Sequence, residues 1–506
     1  MTTTQLHGTT TAPEKESGPH PLARRAVTLA AGAPLLVLLI VSTRYGYQGD
    51  ELYFLGAGKH LSWSYADQPV LLPLLAHGID VLTGGSLFAL RLLPALLTFA
   101  GAVVAALIAQ EFGGRRRAQV LTALSYGFAP ATLISGHALS TMVVDLPLWT
   151  TVTWLLVRWT RTREDRLLLW AGLATALALQ AKYLIVGYWA VVAVCLLAVG
   201  PRELLRRRAL WAGAAIAVVT SVPGLVWQAR NGWPQLEMSQ VLADEHILGG
   251  RAGFLPYLVV LSGFVFAVVL GYGLVQLLRA PEFAAHRFLG WAFVGLAVVQ
   301  IVIDGRPAYV AGLFAPLWAA GAVALERGGG ARWWRWLASW PAYGVTALVT
   351  VAVSLPVYPV SQVTRTEQPA NNPVAAETLR WPQFVDAVED AYLSLPAGER
   401  GRAVVVTQYY EEAGAVDFFG AGRDLPSAYS GHRGYAYFGA PPERSGAVVY
   451  VGSDVDRLRP YFSRVSKAAT VAGGPGESYL DGVPVWTLDG RTTPWSRIWP
   501  GYRHLS

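Results

Sequence analysis

The sequence predicts a polytopic α-helical membrane protein with about eleven spans, ending in a small extracytoplasmic α/β domain. Three observations carry this expectation. Of 506 residues, 53% are hydrophobic and only 14% charged, against about a quarter charged in ordinary soluble chains. The apolar residues are gathered into runs of membrane-spanning length, and after Tyr358 these runs give way to short strand-like and helix-like stretches. Basic residues outnumber acidic ones, 40 against 33, but they stand in short clusters between apolar runs. That distribution marks topology signals and argues against a nucleic-acid partner. The lone Cys195 lies inside an apolar run, so neither an internal disulfide nor a thiolate metal cage can form. Lysine is confined to Lys15, Lys59, Lys182 and Lys467 while arginine is abundant, a usage that points to a GC-rich bacterial genome.

Residues 1–21 contain Thr, Gly and Pro without apolar periodicity and are expected to form a disordered cytoplasmic tail. The next run has no small-residue cleavage site after it, so it is read as a retained helix. A bilayer core about 30 Å thick takes roughly 20 apolar residues per helix. By that ruler the transmembrane domain, residues 22–359, has spans at Val27–Ser42, Phe88–Gln110, Ala118–Ile134, Met142–Val157, Leu167–Gln180, Tyr183–Val199, Leu210–Gln228, Leu255–Leu278, Phe288–Ile303, Tyr309–Leu325 and Trp336–Val357. The apolar stretch from Leu167 to Val199 is too long for one span and is divided at Gln180–Lys182. Arginine clusters at Arg24–Arg25, Arg115–Arg117, Arg158–Arg166, Arg202–Arg208, Arg279–Arg287 and Arg327–Arg335 occupy every second connection. Arginine in short loops marks the cytoplasm. The N-terminus is therefore expected inside, and the other connections outside with everything after Tyr358.

The outward connections hold the unusual residues. The first extracytoplasmic loop, residues 44–87, has Asp50, Glu51, Lys59, His60, Asp67 and Gln68 among aromatics and prolines. Later connections bring His137, Lys182 with Tyr183, the stretch from Arg230 to Gly253, and Asp304 with Arg306 and Tyr309. Ionisable groups at this depth are costly unless they face a cavity or a partner, so their convergence on one side suggests a site. Residues 360–506 read as the soluble α/β domain with a partly parallel sheet: strands at Ala403–Thr407, Ala447–Gly452 and Val483–Gly490, and a helix at Tyr409–Gly420. No Walker loop, dinucleotide fingerprint or fixed-period repeat is present.

The segment GDELYFLGAGKHLSWSYADQPVLLPLLA, from Gly49 to Ala76, resembles the first extracytoplasmic loop of the protein-mannosyltransferase superfamily, in particular the bacterial branch related to the aminoarabinose transferases. The likeness continues through LRLLPAL (Leu90–Leu96), TMVVDLPLW (Thr141–Trp149), LQAKYLI (Leu179–Ile185), PGLVWQARNGWPQLE (Pro223–Glu237), DGRPAYVAGLFAP (Asp304–Pro316), YYEEAGAVDFFG (Tyr409–Gly420) and SGHRGYAYFG (Ser430–Gly439). It implies a GT-C fold, residence in a bacterial plasma membrane, a polyprenyl-phosphate sugar donor and an extracytoplasmic acceptor. It further implies Asp50 as the catalytic carboxylate with Glu51 beside it positioning substrate or metal, Asp145 as the second acidic position, and Lys182 with Tyr183 near the donor. Arg306 falls where many relatives carry lysine in a G-K-P-Y-Y-like segment, which keeps a phosphate contact, whereas Ala308 displaces Tyr309 from the paired aromatics.

In glycosyl transfer a carboxylate can take the acceptor proton as its oxygen attacks the anomeric carbon, and positive charge at Lys182 and Arg306 would stabilise the departing phosphate. Each residue has a plainer reading. Asp50–Glu51 and Asp145 could be helix caps, Lys182 a snorkelling side chain, Arg306 a partner of Asp304, and Asp67–Gln68 a turn rather than an acceptor or metal-positioning pair. A divalent ion is compatible with these carboxylates, but scattered His60, His77 and His137 are more usually structural. Trp227, Gln228, Asn231 and Trp233 suit either sugar stacking or interface anchoring. Glu411, Glu412, His432 and Arg433 are conspicuous, yet an exposed polar helix face accounts for them and no catalysis is assigned there. The rival function is a transporter or flippase of lipid-linked sugars, against which the missing repeat symmetry counts. A scaffold whose C-terminal domain binds an envelope partner is a third.

Overall fold

The computed structural model describes residues 20–244, 250–330, 333–364 and 373–506. The expected tail at 1–21 lies outside them but for His20 and Pro21, as does part of the stretch from Arg230 to Gly253. Each expected span folds as helix. The first is α1 (Arg24–Val41), and the first loop then folds into two helices, α2 (Gly49–Gly58) and α3 (Leu71–Thr83), before α4 (Leu87–Glu111). The run at 118–134, expected as one span, is broken into α5 (Arg116–Phe128) and α6 (Pro130–His137). Pro130 has no amide to continue the ladder and instead opens the second helix. After α7 (Thr141–Thr162), the division at Gln180–Lys182 appears as the end of α8 (Arg166–Leu179) and the start of α9 (Ile185–Ala198).

Then come α10 (Arg208–Arg230) and α11 (Pro234–Asp244). The run at 255–278 becomes α12 (Gly250–Ser262) and α13 (Phe264–Arg279), bent by 107°. The hinge is Gly263 at φ +85°, a conformation side chains rarely adopt. The bundle closes with α14 (Arg287–Val302), a 3₁₀ turn at Pro307–Leu313 that runs into α15 (Phe314–Glu326), and α16 (Trp340–Ser354).

Among the described residues five helices are long and apolar enough to cross a membrane, or six if the bent pair is one span. Several of the other expected spans are simply short. α8 and α9 have 14 residues each, about 21 Å at 1.5 Å per residue. The buried centre of the bundle is α15, whose residues from Phe314 to Leu325 are all buried. Outward faces carry exposed Leu29, Ile40, Val194, Val218 and Leu348, the surface a chain presents to lipid rather than to water.

The C-terminal domain adds α17 (Trp381–Leu393), α18 (Ala397–Arg400), α19 (Tyr410–Phe419) and α20 (Trp495–Tyr502) around a five-stranded sheet. Its strands are β1 (Val404–Thr407), β2 (Ala428–Ser430), β3 (Val448–Val451), β4 (Phe462–Thr470) and β5 (Pro484–Arg491), in the order β2-β1-β3-β5-β4. β1 runs parallel to both β2 and β3, while β5 is antiparallel to β3 and β4. The central strands VVVT and VVYV are buried throughout, as a strand covered on both faces must be. One face packs on α20 through Trp495, Ile498 and Trp499. The other shares a single apolar core with α17, α19 and, from the first loop, Leu52, Tyr53, Phe54 and Leu55 of α2. The domain and the first loop are thus one packing unit.

Candidate functional site

The sequence pair Asp50–Glu51 opens α2, so the two side chains leave the helix in different directions. Glu51 points into the bundle and is fully buried. Its Oε1 accepts from Arg91 Nε at 3.0 Å and from the Leu139 amide at 3.1 Å. Its Oε2 accepts from Arg91 Nη2 at 2.8 Å and from the Gln48 amide at 2.9 Å, capping the helix it begins. Arg91, 1% exposed, also donates to the carbonyls of Ser42 and Gly46, each at 2.8 Å. This bidentate pair ties the end of α1, the start of α2, and α4 together. It is saturated with partners, which gives Glu51 the geometry of a positioning group.

Asp50, half-buried, faces the C-terminal domain instead. Its Oδ1 accepts from the Tyr410 hydroxyl at 2.7 Å. Arg433 Nη1 donates to that same hydroxyl at 3.3 Å, and its guanidinium lies 5.1 Å from the centre of the Tyr410 ring. The Tyr410 ring meets Tyr53 edge-on at 4.7 Å, and Tyr53 in turn donates to Asp67 Oδ1 at 2.7 Å. Burial pushes the Asp67 carboxyl up to about 6, against the Tyr53 hydrogen bond and the Arg433 charge, which hold it down. Burial likewise raises Glu411 to about 7, and one of its oxygens, Oε2, is buried without a hydrogen-bond partner among the described residues. Asp50, Asp67 and Glu411 therefore share the field of Arg433, and Glu377 lies within electrostatic reach of Asp50 and Glu411.

A second group gathers around the junction of α8 and α9. Asp145 is buried in α7 and accepts from Trp149 Nε1 at 3.0 Å. Lys182 lies within electrostatic reach of Asp145, and its Nζ sits 4.4 Å from the centre of the Tyr309 ring. The displaced Tyr309 thus contacts the lysine. Arg306 is half-buried immediately before the 3₁₀ turn at Pro307–Leu313, and Asp304 faces Arg251 at 3.8 Å.

The first loop joins the two groups. Its Leu71 amide donates to the Gln180 carbonyl at 2.9 Å, and the Tyr183 hydroxyl lies beside Ser64 and the backbone of Trp63. Gln228 of α10 donates to Ser64 Oγ at 3.0 Å and to the Tyr65 carbonyl at 2.8 Å. Gln68 is buried in this turn, with no partner for its Nε2 among the described residues.

Other conspicuous residues do structural work. His60 stacks on Phe438 at 4.7 Å, His137 lies against Arg91, and Lys59 donates to the Asp417 carbonyl at 3.0 Å. Trp227 packs on Tyr437. Among the described residues no group of three or more His, Cys, Asp or Glu side chains is arranged to hold a metal ion, so a divalent ion has no assigned ligands. Sequence reasoning missed Arg91 and Tyr410. A lone arginine inside the apolar run LFALRLLPALLTFA signalled the first, because an intramembrane charge needs a buried partner. Nor is the 411–433 cluster an exposed face, since Glu412 and His432 are 3% and 4% exposed.

Comparison with known proteins concerns the chain and its fold. Residues 67–227 match the family model described as dolichyl-phosphate-mannose-protein mannosyltransferase. The structure superposes on ArnT from Cupriavidus metallidurans bound to undecaprenyl phosphate with a TM-score of 0.61 at 16% identity, covering 93% of this chain and 99% of that one. For the same protein in the apo state the TM-score is 0.60, again at 16% identity, over 92% and 98% of the two chains. At that identity the likeness concerns the fold. No curated protein gives a significant sequence match. Family model and fold agree: residues 67–227 are protein-mannosyltransferase-like, and the chain as a whole shares the fold of ArnT.

Proposed function

We propose that this protein is a multi-pass glycosyltransferase of a bacterial plasma membrane that moves a sugar from a polyprenyl-phosphate donor to an extracytoplasmic acceptor. In this reading the N-terminus is cytoplasmic, residues 22–359 form the membrane domain, and residues 360–506 face outward. The observation that carries it is the division of labour on α2. Among the described residues Glu51 is sealed into four hydrogen bonds, whereas Asp50 is held by one, from Tyr410 to Oδ1. Its Oδ2 is the oxygen we assign to the acceptor.

The acceptor hydroxyl oxygen attacks the anomeric carbon as its proton passes to Asp50. The bond from that carbon to the phosphate oxygen breaks, its electron pair leaves with the polyprenyl phosphate, and the anomeric configuration inverts. Lys182 and Arg306 stabilise the charge that grows on the leaving phosphate, with Tyr183 beside them on the donor side. Asp145 orients Lys182, and Asp67 with Gln68 lines the acceptor side. Glu51 acts through Arg91 by fixing the start of α2.

The test begins with a strain lacking the protein. Mass spectrometry of its lipid-linked sugars and envelope glycans should find an accumulated donor and a missing product. That accumulated lipid, purified and labelled in the sugar, then serves as substrate for full-length protein in liposomes. D50N should abolish transfer while expression and unfolding temperature stay unchanged. Wild-type-like turnover by D50N removes Asp50 as the base. Absence of any accumulated lipid-linked sugar rejects the donor assignment.

A further inference from the structure

We infer that the C-terminal domain completes the catalytic site, with Tyr410 and Arg433 as positioning residues that set the reactive orientation of the Asp50 carboxylate. The inference rests on the reading of Asp50 as the base, and deepens it by making acceptor activation a property of both domains.

Hydrogen-bond direction fixes the roles. A guanidinium in a protein only donates, so the Tyr410 oxygen is the acceptor from Arg433 at 3.3 Å. The phenol has one proton, and it goes to Asp50 Oδ1 at 2.7 Å. A hydroxyl that accepts from a cation is polarised into a stronger donor. The chain Arg433–Tyr410–Asp50 therefore occupies one carboxylate oxygen and fixes the plane of the other.

Tyr410 has little freedom to leave. Its ring is bordered by Tyr53 at 4.7 Å, His432 at 5.1 Å and Arg433 at 5.1 Å. Arg433 is itself anchored by the end of the chain, through its amide to the His504 carbonyl at 2.9 Å and its Nε to the Leu505 carbonyl at 3.3 Å. Among the described residues the charged groups around the pair are Asp67, Glu411 and Glu377, with Arg433 the cation among them.

The docking that delivers Tyr410 is close at the level of backbone. A Cβ on Gly414 of α19 would lie 2.6 Å from the Leu52 carbonyl oxygen of α2. A Cβ on Gly49 would lie 2.9 Å from Glu411 Cβ, and Cβ atoms on Gly56 and Gly434 would collide with the hydroxyls of Tyr435 and Tyr53. Glycines on both partners, meeting at several points, fix the register of α19 on α2. A loosely tethered module has no such requirement.

The experiment compares full-length Y410F, R433M and D50N in liposomes, using the lipid-linked sugar purified from the deletion strain. Y410F keeps the ring and its packing and loses only the donor. A hydrogen bond to a charged group predicts that kcat falls roughly tenfold to a hundredfold, with KM for the donor unchanged. The acidic limb of the pH–rate profile should also move to higher pH, because the carboxylate has lost a donor that favours its charged form. R433M should shift the limb in the same direction by less. An inactive D50N together with a Y410F of unchanged limb, whatever its rate, overturns this inference and leaves the base assignment standing. An active D50N overturns the base assignment itself.

Discussion

Adjacent residues on one helix turn, Asp50 and Glu51 face two different regions of the molecule. On the bundle side Glu51 and Arg91 are both buried and satisfied, and they join α1, α2 and α4. On the domain side Asp50 is half-buried and held by a single hydroxyl from a residue 360 positions away. The contrast shows how one sequence doublet can supply a fixed foundation and a less constrained carboxylate. On the proposed reading, burial removes Glu51 from chemistry, while Asp50, with one hydrogen bond among the described residues, is left to meet the acceptor.

The largest expected effect tests the two halves of the doublet with the same chemical change. D50N should lower transfer by roughly 10²–10⁴-fold and leave stability within about 0.5 kcal/mol. E51Q should do the reverse in kind, destabilising the protein by about 3–5 kcal/mol because it strands a buried guanidinium. Thermal unfolding in detergent beside turnover reads both, and loss of rate without loss of stability in E51Q would erase the distinction. Next in size, E51M/R91M should recover much of the stability lost in either single variant, since an apolar pair leaves no uncompensated charge. G414A sharpens the domain side. Its new methyl meets backbone at Leu52, an overpacking cost of about 1–3 kcal/mol that should lower transfer several-fold and raise protease sensitivity at α19.

A further effect is a pH dependence. Glu412 is buried and raised by that burial from 4.5 to about 8. The folded domain thus binds this proton more tightly than the unfolded chain does. Its contribution to stability is fully present below about pH 4.5 and is lost as pH rises toward about 8. E412Q, which keeps an acceptor for the Tyr409 amide, should flatten the fall in unfolding temperature across that window.

Much of this architecture could be read from residues alone. Hydropathy found the apolar helices other than α3, which lies within the expected first loop, and the Gln180–Lys182 interruption located the α8–α9 junction. What local pattern could not supply was geometry within a run. The 107° bend at Gly263 and the break before Pro130 had visible signals, a glycine and a proline, but apolar length overrode them. β2, at three residues, and β4, with the polar sequence FSRVSKAAT, carry no apolar run and were silent. In the site, resemblance pointed to Asp50, Asp145 and Lys182, while the sealing of Glu51 depends on Arg91, forty residues on in α4. Tyr410 lies within the YYEEAGAVDFFG segment but shows no role in the sequence, because its partner is remote and only packing brings them together.

The separation between Asp50 and Tyr410 also bears on how the protein comes into being. A chain made from its N-terminus presents α2 to the membrane early, when neither α19 nor the segment that anchors Arg433 has yet been synthesised. The carboxylate acquires this neighbour only once residues 410–433 and 504–505 have been made and folded against α2. If Asp50 is the base we propose, activity is withheld from any chain cut short before that contact can form.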